Sequence, residues 1–134
     1  MTDEVKGMLD FRDLLDQVPD GIGINRGKKL IHVNKVLLDI LGYDDPVELI
    51  GKPWTLIVHP DDAEKATEQF QDVMEHGGRS PFQEIDCVRK DGSVVTLEVA
   101  AFRVSFDGEP VTVGITRDMS ERKELMAWMM KMDR

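Results

Sequence analysis

Cysteine is nearly absent from this sequence, which has a single one, Cys87, in 134 residues. One cysteine excludes an intramolecular disulfide framework and any zinc or iron–sulfur site built from several thiolates. No apolar run approaches the roughly 18 residues of a membrane span. The N-terminus Met1-Thr2-Asp3-Glu4 also does not resemble a signal peptide. We therefore expect a cytoplasmic protein without direct membrane contact.

Positive charge is also in short supply. Lysine and arginine number 17 against 26 aspartates and glutamates, which gives a net charge of −9. An acidic chain without a basic run is poorly suited to bind nucleic acid or an anionic membrane. The length is typical of one domain, which buries roughly two thirds of the surface of its unfolded chain.

Catalytic and metal-binding patterns are missing. The sequence has no GxSxG, HExxH or P-loop motif. The three histidines are His32, His59 and His76, and none is followed four residues later by a second histidine or a carboxylate. Gly21-Ile22-Gly23 is only a fragment of a nucleotide-binding GxGxxG pattern. We therefore predict a non-catalytic domain without a metal site.

The first half of the chain alternates short helices and strands. Apolar residues at helical spacing predict a helix over residues 5–18. Arg26-Gly27 is a candidate hairpin turn between strands Gly21–Asn25 and Lys29–Val33. Asn34 is placed to cap the next helix, although a ligand contact is an alternative role. A longer helix is predicted between Pro60 and Gly77.

In the second half the apolar period changes to two. Three strands are predicted, at Phe82–Arg89, Ser93–Ser105 and Pro110–Arg117, joined by turns at Asp91-Gly92 and Asp107-Gly108. Alternation places one apolar set on the first face, namely Ile85, Cys87, Val95, Leu97, Val99 and Ala101. It places a second set on the opposite face, namely Val94, Phe102, Val104, Val113 and Ile115. A sheet that is apolar on both faces needs a second cover, either the N-terminal helix or a partner molecule.

A last helix begins after Asp118 or Ser120, and either residue is a candidate for its cap. Leu125, Met129 and Met132 fit the a/d spacing of a coiled coil for about one heptad. We expect this segment to be the truncated start of a coiled coil, in a chain cut from a longer protein.

This order of elements resembles a PAS domain, in particular the sensory PAS module of a bacterial sensor histidine kinase. The resemblance rests on motifs in the family's order: Val33-Asn34, Leu41-Gly42-Tyr43, Glu48-Leu49-Ile50-Gly51-Lys52, His59-Pro60-Asp61-Asp62, Arg89-Lys90-Asp91-Gly92-Ser93, the stretch from Gly114 to Ser120, and Glu121-Arg122-Lys123. It divides the chain into an N-terminal flanking helix (1–18), a PAS core (19–118) and a C-terminal signalling helix (119–134).

The family implies an α+β fold, with a five-stranded antiparallel sheet, helices on one face and flanking helices at both ends. It also implies a cavity between sheet and helices. The side chains expected to line that cavity are Ile24, Leu37, Ile40, Leu41, Trp54, Ile57, Phe70, Ile85, Cys87, Leu97, Val99 and Thr116. Alternatively, these side chains simply fill the core, and the domain is a scaffold for protein–protein interaction.

Three cofactor classes of the family can be compared with the sequence. Covalently photoactive flavin requires a cysteine near residues 61–67, where there is none, and haem requires an axial histidine on the long helix, where only His76 occurs, at the end. No cofactor is identifiable. Flavin held without a covalent bond, against Trp54, or a small apolar ligand remains open.

The resemblance also implies how a signal leaves the domain. Asp118, Met119 and Ser120 connect the last strand to the exit helix and are expected to transmit it to a kinase domain in the same chain. A homodimer is expected, with an interface formed by Met8, Phe11, Leu15, Phe102, Val104, Val113, Ile115, Leu125, Met129 and Met132.

Overall fold

The computed structural model describes residues 11–132, so the predicted interface residue Met8 lies outside the described residues. The helices are α1 (Phe11–Gln17), α2 (Lys35–Leu41), α3 (Ala63–His76) and α4 (Ser120–Met132). The strands are β1 (Gly21–Arg26), β2 (Lys29–Val33), β3 (Gln83–Val88), β4 (Val94–Phe106) and β5 (Glu109–Asp118). Short 3₁₀ turns occur at Pro46–Glu48, Trp54–Ile57 and Pro60–Asp62. Within residues 11–132, no helix has the length and apolar character needed to cross a bilayer.

The five strands form one antiparallel sheet in the order β2-β1-β5-β4-β3. The last strand, β5, therefore lies in the centre, hydrogen-bonded to β1 on one side and β4 on the other. Helices α2 and α3 lie between β2 and β3 in the sequence and contact the sheet. The predicted α+β fold with a five-stranded antiparallel sheet is confirmed.

The hairpin turns follow from residues that adopt a positive φ. Asp107 and Gly108 have φ of 51° and 78°, which allows a two-residue turn between the paired residues Phe106 and Glu109. The first hairpin differs by one residue from the prediction at Arg26-Gly27. Its turn is Gly27-Lys28, because Arg26 pairs with Lys29 and Gly27, at φ 61°, takes the first turn position.

Both faces of the sheet carry an apolar cluster. The inner cluster joins the sheet to α2, α3 and the turn at Trp54, and contains Leu30, Val33, Leu37, Leu38, Leu41, Leu49, Trp54, Val58, Ala66, Ile85, Cys87, Val95, Leu97 and Val99. The outer cluster contains Leu15, Ile22, Ile24, Val111 and Val113. Leu15 belongs to α1, so this helix supplies part of the predicted second cover.

The side chain of Asn34 forms hydrogen bonds that connect three elements. Its Oδ1 accepts hydrogen bonds from the Leu37 N–H (3.0 Å), which caps α2 as predicted, and from the Ile22 N–H (2.8 Å). Its Nδ2 donates to the carbonyl oxygens of Leu15 (2.8 Å) and Asp20 (3.0 Å). These four bonds use the full capacity of the side-chain amide. Asn34 therefore joins the end of α1 and the start of β1 to α2.

Candidate functional site

A small cavity lies between the inner face of the sheet and the helices that cover it, with a volume of about 50 Å³. All five strands contribute to one wall, while α2, α3 and the turn at Trp54–Ile57 form the other. The residues that line it are Gly23, Asn25, Leu30, Leu37, Trp54, Ile57, Val58, Ala66, Phe70, Ile85, Cys87, Leu97, Val99, Gly114 and Thr116.

Two facing glycines form part of the sheet wall of the cavity. Gly23 of β1 pairs directly with Gly114 of β5, and both line the cavity. A Cβ at Gly114 would lie 3.2 Å from Phe70 Cζ, and one at Gly23 would lie 3.3 Å from Leu37 Cδ2. The absence of side chains on these two neighbouring strands thus lets Phe70 and Leu37 pack closely against the sheet. Glycine within a strand pattern is the sequence signal that could have indicated it.

The structure brings most of the predicted lining residues together. Those at the cavity are Leu37, Trp54, Ile57, Phe70, Ile85, Cys87, Leu97, Val99 and Thr116. The prediction was wrong for Ile24, which packs in the outer cluster because the alternation of β1 turns its neighbours Gly23 and Asn25 inward. Leu41 is fully buried in the inner cluster but not at the cavity, and Ile40 is half-buried beside the start of α4.

Sequence reasoning missed Asn25, the most polar part of the cavity wall. Its side chain is 3% exposed, and its Oδ1 has no hydrogen-bond partner among the described residues. Thr116, by contrast, donates its hydroxyl hydrogen to the carbonyl oxygen of Gly21 (3.1 Å). The signal in the sequence was an asparagine in a strand, a residue type that strands disfavour.

Trp54 and Phe70 separate the cavity from an open groove of about 420 Å³. Both rings border both spaces, with centroids 4.8 Å apart and planes tilted by 47°. Trp54 is thus largely covered by a second aromatic ring. Sites for drug-sized ligands measure about 300–1,000 Å³, so the cavity of about 50 Å³ alone accommodates only a few heavy atoms.

Cys87 is a buried structural thiol. Burial, with a smaller contribution from Asp86 and Asp62, raises its pKa to about 12. The thiol therefore stays protonated at neutral pH and is a poor nucleophile.

The histidines have local partners. His59 Nδ1 accepts from the Asp61 N–H (3.1 Å), while His76 Nδ1 lies 3.1 Å from Asp72 Oδ1. Asp72 precedes His76 by four residues, a spacing that the sequence analysis did not consider. In the described part of the chain, no three metal-ligating side chains come together.

The predicted transmission residues lie where β5 becomes α4. Asp118 Oδ1 accepts from the Ser120 N–H (2.8 Å), so Asp118 takes the capping role. Met119 is buried, and its N–H points to the Thr96 carbonyl oxygen (3.4 Å). These contacts connect the start of α4 to the sheet.

Ion pairs add to this connection. Arg122 of α4 pairs with Glu98 of β4 (3.3 Å), and Lys123 pairs with Glu84 of β3 (3.9 Å). Beyond Lys123, the apolar side chains of α4 are more than half exposed, namely Leu125, Met126, Trp128, Met129, Met130 and Met132.

The predicted interface residues of the sheet share one shallow apolar groove on its outer face. Its lining comprises Leu15, Ile22, Ile24, Phe102, Val104, Phe106, Val111, Val113 and Ile115. Val104 and Phe106 lie in this groove and are 38% and 42% exposed. Phe11 is the first residue of α1.

A known family matches most of this chain. The family model described as PAS domain matches residues 19–121. The chain belongs to the PAS domain family. A PAS domain is a typically non-catalytic sensory fold, and PAS domains commonly dimerise and occur in kinases. The solved PAS domain of a protein from Colwellia psychrerythraea is 25% identical, with a TM-score of 0.71 over 81% of this chain and 93% of that one.

Two curated proteins are also similar to this PAS domain. One is the methyl sulfide methyltransferase-associated sensor of Methanosarcina acetivorans, which is 29% identical over 85% of this chain. The other is sporulation kinase A of Bacillus subtilis, which is 26% identical over 92% of this chain. The chain spans only 11% and 20% of the length of these two relatives.

Proposed function

We propose that this PAS domain is the signal-input and dimerisation module of a two-component sensor histidine kinase. A ligand or partner alters the sheet, and the exit helix α4 carries the change to a kinase domain in the same chain. The names of the two curated relatives, a sensor and a kinase, support this assignment.

One observation carries the proposal. Thr116 lines the cavity, and the same strand ends two residues later at Asp118, which caps α4. Because β5 is hydrogen-bonded on both sides, a displacement at Thr116 is resisted sideways and passes along the strand. The start of α4 is held to the sheet by Met119 and Arg122, so it follows that movement. A two-state change of this kind is what signalling requires.

The exposed apolar surfaces favour a homodimer. Val104 in the outer groove is 38% exposed, and the apolar side chains of α4 beyond Lys123 are more than half exposed. Apolar patches of this kind mark interaction sites on most proteins. A second copy would cover both, and it would bring two exit helices together as the first turns of a coiled coil.

Transmission from cavity to helix is tested by filling the cavity with one additional methylene group. In Val99→Ile, the added carbon enters the lining next to Thr116, the residue paired with position 99. We expect the ¹H–¹⁵N NMR signals of Thr116 to Lys123 and the indole signal of Trp128 to shift. Val47→Ile, on a 73% exposed side chain, is the matched control and should leave them unchanged. Shifts confined to the cavity wall would contradict the proposal.

A scaffold PAS domain that binds no ligand is the second candidate. It is favoured by the small volume of the cavity, about 50 Å³. In that case the outer face would bind another protein, and Val99→Ile would alter only stability.

A further inference from the structure

The wall of the cavity includes a buried hydrogen-bond acceptor without a partner among the described residues. This acceptor is Asn25 Oδ1, which belongs to a side chain at the cavity. Burying an acceptor without a donor is destabilising, so native proteins seldom keep one without a reason. A molecule in the cavity that donates a hydrogen bond would remove this cost.

Water alone fits the cavity poorly. A buried water molecule typically makes about three hydrogen bonds to polar groups. Here the side-chain polar atoms at the wall belong to Asn25 and Thr116, together with the Trp54 indole N–H and the weakly polar Cys87 thiol, and the Thr116 hydroxyl already donates to Gly21. The remaining lining is formed mainly by aliphatic side chains and by the Phe70 ring. One unpaired acceptor on a mostly apolar wall matches a molecule with one donating group and a hydrocarbon body.

The ligand must also be uncharged. Of the residues that line the cavity in the described chain, none is Asp, Glu, Lys or Arg. An ion buried there would have no counter-charge. The free-energy cost of its desolvation would exceed the gain from one hydrogen bond with the Asn25 amide.

A route into the cavity is visible as well. Thr112, the cross-strand partner of Asn25, borders the open groove on the far side of the Trp54–Phe70 pair. Among residues 11–132, only these two rings border both the cavity and the groove. Their separation would join the cavity to the groove, whose volume of about 420 Å³ lies in the range of ordinary ligand sites.

We infer that the cavity binds a small uncharged alcohol, whose hydroxyl donates to Asn25 Oδ1 and whose hydrocarbon part packs against Leu37, Ile85 and Leu97. The ligand enters from the groove between Trp54 and Phe70. This inference rests on the proposed sensory function and names the ligand class of its site. A hydroxyl suits the amide because it both donates and accepts.

The test uses 2-propanol and acetone, which have the same heavy-atom skeleton but differ in that only 2-propanol can donate. The chain has two tryptophans, Trp54 at the cavity and Trp128 on α4, so their indole N–H signals in ¹H–¹⁵N NMR report the two places separately. Trp128→Phe assigns the two signals. We expect 2-propanol to shift the Trp54 signal saturably, with a millimolar dissociation constant about tenfold lower than that of acetone.

Asn25→Leu keeps the side-chain size and removes the acceptor. We expect it to abolish the preference for 2-propanol and to raise the melting temperature, because an unpaired buried group is lost. Equal affinity for the two solvents, or a Trp54 signal that does not saturate, overturns the ligand assignment even if Asn25→Leu does not fold. A saturable Trp54 shift with an unmoved Trp128 signal supports the ligand class and contradicts transmission to α4, so the two failures are distinct.

Discussion

The hydroxyl of Thr116 donates to the carbonyl oxygen of Gly21, with 3.1 Å between the two oxygens. This bond joins β5 to β1, the last and the first strand in the sequence, which are neighbours in the sheet. There is no room for a side chain at Gly21. An added Cβ would lie 2.3 Å from Thr116 Oγ1 and 3.2 Å from Leu37 Cα.

Gly21→Ala should therefore lower the free energy of unfolding by about 1–3 kcal/mol, the usual cost of overpacking. Gly23→Ala is the matched control, since its Cβ would meet only the ends of the Leu37 and Leu30 side chains, at 3.3 and 3.6 Å. Its effect should stay within about 1 kcal/mol. Urea unfolding of both variants measures the difference, and equal losses would contradict this account.

Asn34→Ala should destabilise the domain by about 3 kcal/mol, because it removes a helix cap and leaves buried backbone groups of three elements unpaired. Asp45 caps an exposed 3₁₀ turn through the Val47 N–H, so Asp45→Ala should cost only about 1 kcal/mol. Thermal and urea unfolding compare the two. A similar loss in both variants would show that Asn34 acts only as a cap.

Stability should depend on Glu48 in a pH-dependent way. Its hydrogen bond with Lys90, and then those from the N–H groups of Asp44 and Asp45, lower the Glu48 pKa below its usual value of 4.5. A lowered folded pKa means that the carboxylate stabilises the fold above about pH 4.5. That contribution is lost as the pH falls through the folded value.

Glu48→Gln should therefore be less stable than the parent chain at pH 7, and the gap should close toward pH 3. Glu64→Gln, on the exposed surface of α3, controls for the loss of one negative charge. Denaturant unfolding across the pH range measures both variants. A gap that stays constant with pH would exclude the carboxylate as its cause.

Val104→Asp should reduce self-association, because it places a charge in the outer groove at a side chain that is 38% exposed. Val47→Asp carries the same change on a side chain that is 73% exposed and lies outside that groove. Sedimentation velocity at tens of micromolar should show a dimer for the parent and for Val47→Asp, and a monomer for Val104→Asp. A monomeric parent chain would refute a dimer formed by this segment alone.

Phe70→Leu should enlarge the cavity and remove one of the two rings that separate it from the groove. The change should lower the free energy of unfolding by about 1–2 kcal/mol. Cyclohexanol, which is too large for the closed cavity, should then shift the Trp54 indole signal. Phe82→Leu removes a ring that contacts Arg117 and does not line the cavity, so it should not admit cyclohexanol. If the parent chain bound cyclohexanol as tightly as Phe70→Leu does, the Trp54 and Phe70 rings would not limit access to the cavity.

Much of the fold was predictable because its signals are local. The Asp107-Gly108 turn and the Asn34 cap each follow from the conformational preference of one or two residues. Alternation then assigned Ile85 and Leu97 to the cavity face correctly.

The errors arose where local signals do not suffice. The prediction assigned Ile24 to the wrong face because glycine and asparagine, its neighbours at positions 23 and 25, are not typical of the buried face of a strand. Their inward position depends on the pairing of Gly23 with Gly114, which the sequence does not reveal. Asn25 was missed for the same reason. Its significance depends on the cavity lining that surrounds it, which comes from seven other elements of secondary structure.

The position of β5 has a consequence for how the chain acquires its structure. The strand synthesised last lies in the middle of the sheet, and its contact with Gly21 spans 95 residues of sequence. Until β5 emerges, the β1–β2 and β3–β4 hairpins have no strand to join them. Such distant pairing is slow, because the entropy of closing the loop is lost before contacts form. The exit helix follows β5 directly, so the complete cavity wall and the attachment of α4 to the sheet form in the same late folding step.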